Sequence, residues 1–496
     1  MMRNLLLGGA AIAAAAAAFA GVASAQTTLS PTYSEGVPST PLPVQGANDS
    51  NNYQAASLPG GVANPVPGSV VVRFNGRVLA YGFDQANSFD KTVSATAPAK
   101  LNNYGYLGYM RLYSGVDGLA ANGLKYGAAI EIRVNEGPTA GSSSNDNSSA
   151  NSHSSTLYVR RQFVYFGTDT AGIIRAGQAD SVNGIFDNGV TTFQNFDNGA
   201  WNGDLPGAFP GNAQIAFPFL SQSGADYDYA KVVYLSPQFA GFDVGVQFAP
   251  TNSVATSENN VDVASLAAPT STTLTQCAIA ASGCPNLASS GVLGDSARFK
   301  NEYAAGVRYQ NRIGDLALYG YGAYVGSGHV NYTGLNVIKG VQQFQGFNGL
   351  SAGDGGAAIT YAGFTVGGHV LYGDINGAMA LQPKGGVTGL AWLGGVQYAI
   401  GPLTLGASYY DFSSQGSPNL VHLTQRHETG TAAGLTYGIA PGFSLFTSYL
   451  YGTRHQGGFD FQTSAASTAK ELNSVGAHEY NSIQSQVFAV GTIVKW

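Results

Sequence analysis

Charge is what this sequence has least of. Its 22 Lys and Arg and 28 Asp and Glu make up only 10% of the chain, against about 25% in ordinary globular proteins. That is too little to coat several soluble domains. The formal net charge of −6 is mildly acidic and argues against a nucleic-acid partner. Apolar runs of the roughly 20 residues needed for a helical membrane span are missing beyond the N-terminus. There, Arg3 precedes an apolar stretch over 5–22, and Ala23-Ser24-Ala25 forms a small-residue processing site. Residues 1–25 thus read as a secretory signal peptide, to be left out of fold reasoning. The mature chain is therefore expected to leave the cytoplasm, and loss of Arg3 with the signal makes it one unit more negative. Cysteine is nearly absent as well. Cys277 and Cys284, close together in an exported chain, suit a disulfide that staples a loop. With no His nearby, two thiolates are too few ligands for a metal.

What the sequence does have is glycine and aromatics: 68 Gly, 28 Tyr and 25 Phe, with a mean hydropathy near zero. Apolar but broken throughout by glycine, such a chain suits strands with one apolar and one polar face. Residues 26–69 stand apart. They are rich in Pro, Ser, Asn and Gly, nearly uncharged, and read as an extended or disordered periplasmic segment. Contact with peptidoglycan or entry into a pore are sharper readings that the residues do not separate from it.

From residue 70 the pattern changes to strict alternation. Val70, Val72, Phe74, Val78 and Ala80 share one face, and Arg73, Asn75, Arg77, Leu79 and Tyr81 the other. A period of two with charge on one side is a half-buried strand. Similar runs occupy 104–113, 124–134, 158–167, 172–179, 230–235, 242–249, 299–310, 316–326, 364–372, 390–399, 403–412, 430–438, 443–451 and 485–496. One further strand is expected to start in 340–350 and run towards Gly363. The total is about sixteen, an even number as bacterial single-chain barrels require. Short turns at 117–122, 168–172, 236–241, 311–315, 400–402 and 440–442 alternate with long polar connections. In lipid every backbone donor and acceptor must be paired internally, so an exported, strand-rich chain with apolar outer faces must close on itself. The expected fold is all-β: a transmembrane antiparallel β-barrel over 70–496.

The longest internal feature between two strands is the insert 181–229, rich in Gly, Asn, Asp and aromatics. Compact domains rarely carry so long a connection without a use for it. The expectation is that it folds into the barrel and narrows it.

The segments RFNGRVLAYG (73–82), RQFVYFGTDTAGIIRAGQAD (161–180) with the insert that follows, and the terminal VGTIVKW together resemble the Gram-negative general porins. The resemblance covers the barrel, about 70–496, while 26–69 and the cysteine-bearing loop depart from it. It implies a trimeric, water-filled, 16-stranded diffusion pore in the outer membrane, with no cofactor and no enzymatic activity. The third long loop, 181–229, would line the constriction. By position, Asp187, Asp197 and Asp204 become candidates for its acidic side, though Asp-Asn-Gly segments equally suit solvated turns. Phe186, Phe193, Phe196, Trp201 and Phe209 are candidates for pinning the loop to the wall. The basic side would come from Arg73, Arg77, Arg111, Arg133 and Arg175, because an arginine facing lipid at the midplane costs about 2–4 kcal/mol. Of the adjacent Arg160 and Arg161, strict alternation lets only one point inward. Phe488, Val490, Val494 and Trp496 alternate towards an aromatic C-terminus, resembling the signal read by the barrel-assembly machinery.

Other classes of function stay in view. Tyr81, Tyr109 and Tyr113 would suit a sugar-selective channel, and a cluster of basic residues an anion-selective one. A surface adhesin or cell-wall anchor would use the loops or 26–69 instead. Catalysis finds little footing. Six of the seven His fall in expected loops, and His369, on a strand, reads as a polar residue lining the lumen. No nucleophile motif stands out.

Overall fold

The computed structural model describes residues 26–27, 66–90, 102–136, 156–186, 201, 205–209, 213–219, 229–251, 299–328, 335–338, 341–344, 347–416, 424–462, 465–466 and 480–496. Sixteen strands form the wall. In chain order they are β1 (Ser69–Asn87), β2 (Tyr104–Leu119), β3 (Lys125–Glu136), β4 (Thr156–Thr168), β5 (Gly172–Gln178), β6 (Ala230–Leu235), β7 (Phe242–Thr251) and β8 (Lys300–Ile313). The second half comprises β9 (Leu316–Gly328), β10 (Ser351–Tyr361), β11 (Phe364–Asp374), β12 (Gly389–Ile400), β13 (Leu403–Ser414), β14 (Arg426–Ala440), β15 (Phe443–Gln456) and β16 (Ser482–Lys495). Each strand pairs antiparallel with the next. β1 pairs on both sides, Val78 facing Met110 of β2 and Val494 of β16. The sheet therefore closes and has no free edge.

The alternation resolves into two faces. Along β16, Phe488 and Val490 are half exposed (50% and 51%) while Val487 and Ala489 are sealed (1% and 0%). Val72, Phe74, Val164, Phe166, Val366, Trp392 and Val396 continue the exposed apolar set, which is the face for lipid. The inner set is polar and aromatic, with Arg77, Arg111, Glu131, Arg308, Asp354 and Thr404 among its buried members. Among the described residues no helix is long and apolar enough to cross a membrane.

The short connections fall where the sequence places them, with one addition. The expected strand running towards Gly363 is present, but it starts at Ser351 and not in 340–350. Val341–Phe344 pairs instead with Leu335–Ile338 as a separate two-stranded ribbon. The wall strand is β10, which turns into β11 at Ala362 and Gly363. Both residues have positive φ (48° and 85°), as a two-residue hairpin with the right twist requires. Ala240 and Gly241 repeat that geometry between β6 and β7. Ala is an unusual first residue for such a turn, where Asn or Asp is the common signal, but Gly363 marks the boundary in the sequence.

β5 and β6 are the shortest wall strands, with 7 and 6 residues, against 19 in β1. They flank the insert. Its described parts hold a short helix, α1 (Val182–Phe186), and a 3-10 turn at Leu205–Ala208.

Candidate functional site: the inner wall and its insert

The inner face of β1–β5 is dominated by arginine. Arg77 lies directly opposite Arg111, and Arg111 directly opposite Arg133, across three adjacent strands. Like charges in facing positions repel. Two features answer that repulsion. The Arg77 and Arg111 guanidiniums stack over the Tyr109 ring, at 5.5 and 4.7 Å from its centroid, a favourable arrangement for a cation. Glu131, on the same face as Arg133 and two residues before it, accepts from the Arg133 Nε. Arg175 on β5 lies over Phe163 at 5.1 Å. Arg77, Arg111, Arg133 and Arg175 are thus buried on the inner face, as alternation and the cost of a lipid-facing charge require. Arg73 belongs to β1, but its side chain falls outside the described ones.

One expectation is overturned here. Both Arg160 and Arg161 point inward, with 2% and 0% of their surface exposed. Glu131 pairs with Arg161 while the next residue, Ile132, pairs with Val159. Arg160 is therefore the extra residue of a β-bulge, which rotates the strand locally and lets two consecutive side chains share a face. Arg161 donates to Glu131 and to Asp180, each at 2.8 Å, and Arg160 Nη1 sits 3.3 Å from Glu131 Oε2. Glu131 thus gathers three arginines, and Arg161 ties the wall to Asp180 at the base of the insert.

Among the described residues, three parts of the insert between 182 and 219 make contact with the inner face. First, α1 packs on β7–β9. The Val182 amide donates to Gln247 Oε1, and the Tyr319 hydroxyl donates to the Phe186 carbonyl. A Cβ added at Gly245 or Gly306 would sit only 3.0–3.1 Å from Val182 and Phe186 atoms, so glycine there admits the helix. Second, Trp201 stacks on Phe209 and donates from Nε1 to the Thr431 carbonyl. It sits over Gly430 and Gly452, where a Cβ would approach it to 2.7 and 2.8 Å. Beside it, Ser485 donates to the Ala213 carbonyl, Arg454 to that of Gln214 and Tyr410 to that of Ala216. Third, Phe219 stacks face to face on His369 of β11, with centroids 3.8 Å apart. Of the five candidate pinning aromatics, Phe186, Trp201 and Phe209 are buried, whereas Phe193 and Phe196 lie outside the described residues. So do the candidate acids Asp187, Asp197 and Asp204, and Cys277 and Cys284.

The opposite stretch of wall is of another kind. Thr365, Thr404, Ser408, Thr436 and Ser448 turn inward from β11 and β13–β15. Tyr81, Tyr109 and Tyr113 also face inward, on β1 and β2, and are largely buried. Several inward charges escaped sequence reasoning. Asp243 holds Arg308 through both carboxylate oxygens at 2.7 and 3.1 Å. Glu302 accepts from Tyr229 and Gln247. All three charged groups sit at inward positions of their strands, so alternation alone marks them. Among the described residues no three His, Cys, Asp or Glu side chains gather as a metal site would need.

A closed barrel with an arginine-bearing inner wall and an insert meeting that face narrows the field to channel families. The sequence model of the Gram-negative porins matches residues 10–456. The chain belongs to that family. Among solved structures, the porin is similar to the anion-selective porin of Comamonas acidovorans, at 13% identity and a TM-score of 0.46. The alignment covers 86% of this chain and all of that one. A loop-deletion mutant of OmpT from Vibrio cholerae follows at 12% and 0.45, covering 86% and 99%. A mutant Rhodopseudomonas blastica porin matches at 13% and 0.43, covering 86% and 100%. No curated protein matches its sequence. Membership makes this porin an outer-membrane channel for passive diffusion of small hydrophilic solutes and ions.

Proposed function

We propose that the insert 181–229 is the porin's constriction, narrowing a water-filled lumen past which solutes diffuse unchanged, without catalysis or cofactor. The observation that carries this is the insert's three contacts with inward-facing side chains on separated parts of the wall: β7–β9, β13–β16 and β11. A connection lying over the barrel mouth would have no reason to meet buried positions such as Gln247, Tyr319 and His369. Asp187, Asp197 and Asp204 supply the acidic side of the gap, and Arg73, Arg77, Arg111, Arg133 and Arg175 the basic side. Fixed charges across a narrow aqueous gap order water and set ion preference.

Residues 1–25 are the cleaved export signal, and 26–69 extend into the periplasm, where they are available to peptidoglycan. Cys277 and Cys284 form a disulfide in the loop after β7. The barrel-assembly machinery reads Phe488, Val490, Val494 and Trp496, whose outward alternation along β16 supports that role. The working unit is a homotrimer embedded in outer-membrane lipid. The test is single-channel recording in planar bilayers with a salt gradient. Conductance steps in groups of three are expected, with a rise in step size when 187–204 are deleted. No steps, or steps untouched by that deletion, would refute the reading.

A selective reading also has an observation behind it. Among the described residues, the inner face of β1–β5 carries six buried arginines beside the buried carboxylates Asp117, Glu131 and Asp180. So basic a stretch of wall favours anions, and the sign of the reversal potential in the same experiment decides it.

A further inference from the structure

We propose that Glu302 is a positioning residue for the constriction: it joins the two ends of the insert, orients Gln247 and so seats α1 on the wall. Its bearing on diffusion rests on the reading of the insert as the constriction.

Glu302 lies on the inner face of β8, where that strand carries one residue more than β9 between Lys300 and Tyr303. Asn301 has a positive φ of 52° there. A bulge of this kind re-aims a side chain, and Glu302 is fully buried. Its two carboxylate oxygens serve opposite ends of the insert. Oε2 accepts from the hydroxyl of Tyr229, the residue at which the insert returns to β6. Oε1 accepts from Gln247 Nε2 of β7 at 2.5 Å. Gln247 carries the connection on, because its Oε1 accepts from the amide of Val182, the first residue of α1, at 2.7 Å. A second tie runs beside this one. Lys231 Nζ donates to the Ala179 carbonyl at 2.8 Å and lies 3.9 Å from the centre of the Tyr229 ring. Exit and entry of the insert therefore meet at the wall.

The carboxylate also fixes which way Gln247 points. Both Glu302 oxygens accept, the pattern of the ionised form, which has no proton to donate. Gln247 must then turn its NH2 towards Glu302, and its oxygen faces Val182. That amide is one of the donors at a helix start that find no partner within the helix. A neutral amide at 302 removes the compulsion. In Glu302→Gln the new oxygen accepts from Tyr229, the new NH2 turns to Gln247, and Gln247 reverses to meet it. Two N–H groups then face each other under α1, and a buried donor left unsatisfied is costly. The far end of α1 stays tied, by Tyr319 at the Phe186 carbonyl. The end released is the one at Val182, which sits over Gly245 and Gly306.

The experiment places a thiol at that end. Val182, fully buried, is replaced by the smaller Cys in the full-length porin. Its reaction with a small water-soluble methanethiosulfonate is followed by peptide mass, with the parent chain as the control for Cys277 and Cys284. Val182→Cys alone should react slowly. Adding Glu302→Gln should speed the reaction about tenfold, the change in equilibrium that loss of one buried hydrogen bond to a charged group releases. Gln247→Met removes the acceptor itself and should do the same. Combining the two should add nothing, because both act through one joint. A general loss of stability would multiply instead. Tyr229→Phe keeps every charge and the ring, so it serves even where Glu302→Gln does not fold, and it should speed the reaction about threefold. A thiol that stays slow in Glu302→Gln, effects that multiply with Gln247→Met, or no change in Tyr229→Phe would each overturn the proposal. Single-channel recording of the same variants tests the reading beneath it. A freed thiol with unaltered conductance would leave the role of Glu302 standing and overturn the constriction.

Discussion

The wall of β1–β5 and the wall of β11–β15 solve the same problem, facing water inside a closed sheet, with opposite materials. The first packs arginines in facing registers and holds them with Tyr109, Glu131 and Asp180. The second offers Thr, Ser and glycine, and holds the insert's Trp201 and Phe219 in fitted places. The difference teaches that inward polarity alone does not specify a channel surface. Charge builds a field on one side, and small residues on the other leave room for the element that meets it.

The sharpest way to break that contrast is at Glu131. Glu131→Gln strips the carboxylate from three buried arginines. Leaving buried charge uncompensated costs about 3–5 kcal/mol, so the heat needed to unfold the barrel in detergent should drop steeply. An unchanged transition would mean that the arginines are neutralised elsewhere. Next comes the fitted wall. Gly452→Val places atoms where Trp201 and Ile215 already sit, an overpacking of about 1–3 kcal/mol. It should push that anchor off and raise single-channel conductance. A third change, Arg160→Gln, removes the bulge's extra cation and should shift the reversal potential towards cations by a factor of about two in permeability, the scale of one screened charge. The smallest effect is expected on the hydroxyl wall. Thr404→Ser should alter stability by less than about 0.5 kcal/mol and leave ion preference where it was, and any marked change there would show that the uncharged wall also takes part in selection.

Much of this was legible in the sequence. Alternation and loop spacing gave sixteen strands and their faces, and the cost of charge in lipid sent Arg77, Arg111, Arg133 and Arg175 inward. Three things were not legible, each for a physical reason. The bulge at Arg160 leaves no mark in a run without glycine, since it depends on how β3 and β4 pair rather than on either alone. The start of β10 was misplaced because Val341–Phe344 belongs to a separate ribbon with Leu335–Ile338, a pairing that no single strand's periodicity reveals. The anchors of the insert combine residues more than two hundred positions apart, such as Trp201 with Thr431, and single-strand periodicity cannot join them. The sequence ranked His369 as an ordinary lumen residue, because nothing local announces that Phe219 returns to cover it.

The seam between β1 and β16 has a consequence for how the molecule comes into being. Val78 and Val494 are register partners more than four hundred residues apart, so the contact that closes the sheet is also among the longest in the chain. Loop closure grows costlier with length, though slowly, and long-range pairings slow folding. Until the final fourteen-residue strand is in place, β1 and β15 each present an unpaired ladder of amides and carbonyls, open to any passing strand. Assembly of this barrel is therefore settled at its last step, and a chain cut short by one strand is left as an open sheet with two reactive rims.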